Sequence, residues 1–161
     1  MGAWGYHLLE NDTACDIFIR LTNPKTEAPV AEILQSIEGY SNPDTSSECI
    51  DDYEVNDILI CIVLVVGFTD RTLIEERTDK SINRDSKDKI FKFLEQHQKT
   101  FDDSVKVDHY KKAGKLFERI LDVEKSETYE LWDDAGGENC ESWVKMVTKI
   151  REDLVKVTPS M

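Results

Sequence analysis

The feature that most constrains the fold is an uninterrupted apolar run of eleven residues, ILICIVLVVGF, at positions 58–68. A membrane-spanning helix needs about 20 apolar residues, so this run predicts an element buried in a globular core. Its β-branched residues favour a strand by propensity. The preceding Ile50, Tyr53 and Val55, however, are spaced more like a helix than like an alternating strand. We therefore favour one long helix through residues 58–66, with a strand as the alternative.

Helical periodicity recurs along the rest of the chain. Asn11 or Asp12 can cap a helix whose apolar residues follow at i, i+3, i+4 and i+7, and Asn23-Pro24 ends that helix. Further stripes with this period occupy residues 26–38, 83–94, 105–121, 126–135 and 138–154. The sequence predicts an all-α fold, a single domain over residues 1–161 built as a bundle of about seven helices with short loops.

The net charge of −13 is unevenly distributed along the chain. Residues 1–70 contain thirteen acidic residues and only two basic ones, Arg20 and Lys25, whereas residues 71–161 are close to balance. A nucleic-acid-binding face is basic, and an anionic membrane repels an acidic surface. We therefore expect neither nucleic acid nor membrane as a partner, and a basic protein fits this charge best.

Known catalytic and metal-binding patterns are missing from the sequence. The four cysteines lack CxxC spacing, the three histidines lie far apart, and no GxSxG elbow, P-loop or dinucleotide fingerprint occurs. The first residues show neither a basic region nor a continuous apolar region typical of a secretory signal. We expect a cytoplasmic protein with reduced cysteines, no metal, no cofactor and no catalytic residue.

Both ends of the chain carry residues typical of one bacterial family. The matching residues are Gly2, Trp4, Gly5, Glu10, Asn11, Asp12, Ala14 and Asp16 in the opening segment, and Leu131, Trp132, Trp143 and Leu154 in the closing segment. On these residues the chain resembles the family of domain of unknown function 4259. Some relatives in that family are similar to immunity proteins of bacterial toxin systems. The resemblance therefore implies a small protein that binds and neutralises a toxin.

Several residues of this signature are predicted to be structural. They are Trp4, Gly5, Asn11, Asp12, Trp132 and Trp143. A glycine beside a tryptophan lets the backbone turn so that the large aromatic side chain packs into the core. The alternative, in which the opening residues form a ligand pocket or an acid–base pair, is the less favoured interpretation.

An acidic segment in the first half of the chain is the candidate partner-binding surface. It comprises Asp44, Glu48, Asp51, Asp52, Tyr53, Glu54 and Asp57 and contains no basic residue. Like charges at i, i+3 and i+4 of a helix repel one another by a few tenths of a kcal/mol per pair. An ordinary solvated helix face is the alternative. Tyr53, and also Tyr40, offer the aromatic side chains that binding hot spots favour.

These observations predict a small acidic binding protein that covers the basic active surface of a toxin, with Asp70, Glu75 and Glu76 as additional contacts. One alternative is an enzyme whose acid–base groups are carboxylates, such as Glu10, Asp12 or Asp133. A second is a regulatory or structural subunit of an oligomer. The oligomeric state itself does not follow from the sequence.

Overall fold

The apolar run lies in the central helix of an all-α fold. The computed structural model describes residues 8–9, 12–43, 49–78 and 84–160, and these residues form eight α-helices. The helices are α1 (Asp12–Thr22), α2 (Pro29–Ser41), α3 (Asp52–Thr69), α4 (Arg71–Thr78), α5 (Arg84–Ser104), α6 (Val107–Ile120), α7 (Glu127–Ala135) and α8 (Gly137–Val157). Within these ranges the only β-type pairing is an isolated bridge between Ile50 and Ser126.

Helix α3 is surrounded by the rest of the bundle. Every residue from Val55 to Phe68 is buried, and α3 packs against all seven other described helices. A helix that is apolar on all sides has to be enclosed in this way. Burial of each large aliphatic side chain contributes about 1.5–3 kcal/mol, which outweighs the few tenths of a kcal/mol that a β-branched residue costs in a helix. The predicted all-α fold and the helical interpretation of residues 58–66 are both confirmed.

The sequence predicted about seven helices, and of the eight described ones α4 was not anticipated. This helix has eight residues, of which only Leu73 and Ile74 contribute buried apolar side chains among those described. Two apolar neighbours do not form a recognisable stripe. Asp70 directly precedes the helix, and its Oδ1 accepts hydrogen bonds from the backbone N–H (3.1 Å) and the hydroxyl (2.7 Å) of Thr72. Packing against α3 therefore stabilises this helix, whose own sequence has no apolar stripe.

Side chains and glycines set the ends of the later helices. The predicted element at 105–121 begins as a helix at Val107, where Nδ1 of the buried His109 accepts the backbone N–H of Lys106 at 2.9 Å. Gly136 joins α7 to α8 with φ of 69°, and Gly137 follows with φ of 76°. Only glycine adopts such angles without strain, so this pair permits the sharp change of direction between the two helices.

Hydropathy identifies no membrane-crossing helix in the part of the chain that the structure describes. Helix α3 has 18 residues, but its first two turns carry three carboxylates, Asp52, Glu54 and Asp57. A bilayer-spanning helix of this length tolerates few charges. The apolar part of α3 instead makes the protein core.

Candidate functional site

The predicted partner-binding residues fall at the start of α3. Asp51 caps the helix, and Asp52, Tyr53 and Glu54 form its first turn. Asp44 and Glu48 lie outside the described residues. The described members therefore lie within one helical turn of each other, apart from Asp57 in the second turn.

Asp51 and Glu54 stabilise the helix end itself. The backbone N–H of Glu54 donates to Oδ1 of Asp51 at 2.8 Å, and the backbone N–H of Asp51 donates to Oε2 of Glu54 at 2.9 Å. This reciprocal pair is a capping box, and it satisfies two backbone donors that a helix otherwise leaves without partners. The negative charges also interact favourably with the helix dipole. These two carboxylates thus have a structural role beside any role in binding.

Asp52 joins α3 to the segment that leads into α7. Its Oδ1 accepts a hydrogen bond of 2.6 Å from the hydroxyl of the buried Thr128. Two backbone bonds lie alongside, from the N–H of Ile50 to the carbonyl of Lys125 (2.8 Å) and from the N–H of Glu127 to the carbonyl of Ile50 (3.0 Å). The start of α3 and the start of α7 are therefore bonded to each other.

Asp57 has to be removed from the predicted surface, because it is only 6% exposed. Its Oδ2 accepts a hydrogen bond of 2.7 Å from the hydroxyl of Tyr40 on α2. Burial raises the pKa of the Asp57 carboxyl, while the Tyr40 hydrogen bond and the positive charge of Arg20 act in the opposite direction. Arg20 forms an exposed ion pair with Glu32 nearby. The carboxylate of Asp57 therefore belongs to a polar contact between α2 and α3.

The two tyrosines differ in their availability. The hydroxyl of Tyr40 is bonded to Asp57, and the Tyr40 side chain is half-buried. Tyr53 is 51% exposed and lies beside the carboxylates of the first turn. Of the two, only Tyr53 presents a large part of its ring to a partner at this surface.

The residues predicted to be structural are divided between described and undescribed parts of the chain. Trp4, Gly5 and Asn11 lie outside the described residues. Asp12 is the exposed first residue of α1. In the closing segment, Trp143 is 4% exposed with its ring centroid 5.5 Å from that of Tyr129, and Trp132 packs half-buried against the same core.

The structure adds a charged stripe on α7 that the sequence analysis did not single out. Glu127, Glu130, Leu131 and Asp134 recur at i, i+3, i+4 and i+7, the spacing of a single helix face, and all four are exposed. Leu131 is 42% exposed, which is unusual for leucine. We call these four residues the α7 stripe. The signal was present in the spacing of ETYELWDDA, but only the α3–α7 contacts bring the helix that carries it next to the start of α3.

Together, Asp51, Asp52 and Glu54 with the three carboxylates of the α7 stripe form what we call the acidic surface. Lys125 is the one basic residue in the two described segments 49–57 and 122–138. The other proposed contacts, Asp70 and Glu75, lie beyond the far end of α3, about 27 Å away along an 18-residue helix. The side chain of Glu76 is outside the described part. Asp70 and Glu75 therefore do not extend the acidic surface.

The alternative catalytic carboxylates show no shared site. Asp12 and Asp133 are exposed on α1 and α7, and Glu10 is outside the described residues. Among the residues that the structure describes, no group of three or more metal-ligating side chains comes together. The buried His109 instead forms a contact of 3.0 Å from Nε2 to Oε1 of Glu38.

Comparison with known proteins identifies a family but no described homologue. The family model for "Domain of unknown function (DUF4259)" matches residues 2–146. No curated protein and no solved structure matches the chain.

Proposed function

Since the chain belongs to the DUF4259 family, whose function is unknown, we propose a function from its surface: a binding protein that acts as an immunity protein against a bacterial toxin. In this proposal the acidic surface covers the basic active surface of the toxin domain. A nuclease domain is the expected class of toxin, because its substrate-binding face is positively charged. The protein would act in the cytoplasm without a catalytic group of its own.

The observation that supports this proposal is that hydrogen bonds join the start of α3 to the start of α7, two segments that together carry six carboxylates and two exposed apolar side chains. Tyr53 and Leu131 supply the apolar area that binding hot spots require, and the carboxylates around them supply charge. A surface of one sign steers an oppositely charged partner and raises the association rate by about 10- to 1000-fold. Steering of this kind suits an inhibitor that must capture a toxin quickly.

The structure dictates which residues to change in a test. Neutralising Asp51, Asp52 and Glu54 would also remove the capping box and the Thr128 hydrogen bond, so lost binding could reflect a damaged fold. The carboxylates of the α7 stripe make no ion pair with a described residue. Glu127 and Glu130 lie in the first turn of α7, so neutralising them should remove only a favourable interaction with the helix dipole. The test variant is therefore Glu127→Gln/Glu130→Gln/Asp134→Asn.

The partner is first captured from the native cell with tagged wild-type protein and identified by mass spectrometry. Association rates are then measured over a range of NaCl concentrations. We expect the test variant to associate about tenfold more slowly and with a weaker dependence on salt. The matched control, Glu75→Gln/Asp88→Asn/Asp103→Asn, changes the net charge equally on other exposed positions and should retain most of the rate.

Two outcomes would refute the proposal. One is a captured partner whose contact face is acidic. The other is an association rate that the α7 variant and added salt both leave unchanged. Cell survival gives an independent readout, since expression of the chain should protect cells from the captured partner if that partner is a toxin.

A further inference from the structure

A second charged surface lies in an open groove of about 770 Å³ between α6 and α8. Its cationic residues are Lys111, Lys112, Lys115 and Arg119 on α6 and Arg151 on α8. Asp108 and Glu118 also line it, so the lining carries a net charge of +3 in a chain of net charge −13. We call this the basic groove. A positively charged groove on a negatively charged protein requires an explanation.

Gly114, in the middle of α6, opens onto the basic groove. A Cβ placed on this glycine would meet no other atom within 4 Å, so packing within the chain does not require glycine here. Glycine inside a helix lowers stability relative to alanine. The absent side chain leaves the backbone of α6 open to close approach by another molecule.

The rest of the lining combines charge with an exposed apolar contact. Lys111 and Lys115 are spaced i, i+4 on α6, where like charges repel each other. Across the groove, Arg151 and Val155 have the same spacing on α8, and Val155 is 69% exposed. Positively charged side chains therefore lie on both helices of the groove, together with the exposed Val155 and with Gly114, which has no side chain.

The α7 stripe has the complementary pattern. Its carboxylates, Glu127, Glu130 and Asp134, lie on one helix face around the exposed Leu131. The α7 stripe is a negatively charged helix face with one apolar side chain. The basic groove is positively charged, offers one apolar contact and leaves room for close approach, so the two surfaces are complementary. Recognition of an amphipathic helix in a groove is a recurring mode of protein association.

We propose that the basic groove binds the α7 stripe of a second copy of this chain. Leu131 of one copy would contact Val155 beside Gly114 of the next copy, with the stripe carboxylates near Lys115 and Arg151. The net negative charge of both copies opposes this contact only weakly, because charges more than about 8 Å apart are screened at physiological salt. Since the two contacting surfaces differ, the association is head-to-tail and produces rings or open chains.

The first measurement is the mass of the wild-type protein by analytical ultracentrifugation. We expect the average mass to rise above 18.5 kDa as concentration reaches the millimolar range at ~0.15 M NaCl, and to fall again when NaCl is raised to ~0.5 M. A wild-type protein that stays monomeric throughout at ~0.15 M NaCl would overturn the proposal.

A mixing experiment tests the two surfaces specifically. The groove variant is Lys115→Glu/Arg151→Glu, and the stripe variant is Glu130→Gln/Asp134→Asn, which removes the stripe charges without making the stripe complementary to the altered groove. Each retains one intact surface, so each alone should be monomeric while an equimolar mixture forms a 1:1 dimer of twice the single-chain mass. Melting curves establish that both variants fold. A mixture that remains monomeric, or a groove variant that still self-associates, contradicts the assignment.

Two further variants complete the design. Lys99→Glu/Lys145→Glu changes the net charge as much as the groove variant does, but at exposed positions outside the groove, and should associate like wild type. Gly114→Ala should raise the melting temperature by about 2–4 °C and yet weaken association, a combination that a purely structural role of this glycine does not produce. Binding of single-stranded DNA or a glutamate-rich peptide by a monomeric wild type would assign the groove to another anionic partner.

This inference and the proposed function both use the α7 stripe, so self-association and capture of a basic partner compete for it, but the variants test the two separately. The groove variant keeps the whole acidic surface, so it should lose self-association while still capturing a basic partner. Capture without self-association in the wild type would refute only the present inference. Self-association without any basic partner would refute only the proposed function.

Discussion

The hydroxyl of Tyr40 on α2 donates a hydrogen bond of 2.7 Å to Oδ2 of Asp57 on α3. The two residues are 17 positions apart, and their bond links the second turn of the central helix to the end of its neighbour. Nearby, the guanidinium of Arg119 on α6 donates to the backbone carbonyl of Tyr40 at 3.1 Å. Tyr40 thus connects three helices through its side chain and its backbone.

Replacement of Tyr40 by phenylalanine should destabilise the fold. The change keeps the ring and removes the donor, leaving a buried carboxylate oxygen without this hydrogen bond. Hydrogen bonds to charged groups contribute about 1.5–3 kcal/mol, so the free energy of unfolding should fall by that amount in urea denaturation at neutral pH. Tyr53→Phe removes the hydroxyl of a residue that is half exposed and should have little effect. Equal losses in both variants would contradict the role of the Tyr40–Asp57 bond.

The buried Asp57 should make stability depend on pH. Burial raises the pKa of this carboxyl above its ordinary value, so on raising the pH the unfolded chain releases its proton before the folded chain does. The contribution of Asp57 is therefore fully present at acid pH and is lost as the pH rises through the folded-state pKa.

The measurement compares wild type with Asp57→Asn in urea between about pH 3 and 7. Relative to the variant, the wild type should become less stable as the pH rises. Asp88→Asn, at an exposed position on α5, serves as the matched control and should parallel the wild type. A constant difference between wild type and Asp57→Asn across this range would show that Asp57 does not titrate differently on folding.

Loss of the capping box should weaken the start of α3. Asp51→Ala removes the side-chain acceptor for the backbone N–H of Glu54 and should cost about 0.5–2 kcal/mol of unfolding free energy. Glu130→Gln changes a carboxylate of the same surface that has no such bond, and should stay within about 0.5 kcal/mol of wild type. Chemical denaturation of both variants distinguishes the carboxylates that stabilise the fold from the carboxylates that are available for binding.

The close contact between α3 and α4 predicts a destabilising glycine substitution. A Cβ at Gly67 would lie 2.8 Å from Cδ1 of Ile74, so Gly67→Ala should cost about 1–3 kcal/mol through overpacking. Ile74→Val removes Cδ1 and should recover part of this loss in the double variant. The control is Gly39→Ala, where a Cβ meets nothing within 4 Å and the fold should gain about 0.5–1 kcal/mol. Thermal and urea unfolding measure all four proteins.

Much of the architecture followed from the sequence because it depends on local patterns. The apolar run at 58–68 required enclosure, and the helical stripes on either side supplied amphipathic helices to enclose it. The sequence did not predict helix α4, because its apolar residues do not form a stripe of their own. The helix is instead held by the contact of Ile74 with Gly67 of α3. The start of α6 after Lys106 likewise depends on the hydrogen bond from the backbone N–H of Lys106 to the ring of His109.

The candidate site was only partly predictable. The sequence by itself determined that α3 would be central, that its first turn would be acidic and that the excess negative charge would lie in the first half of the chain. Only the tertiary structure decided that Asp57 points into the contact with α2 and that Asp52 is bonded to Thr128, which joins α7 to the start of α3. The physical reason is that the periodicity of one helix shows which residues share a face. Which helix covers that face depends on packing between residues far apart in the chain.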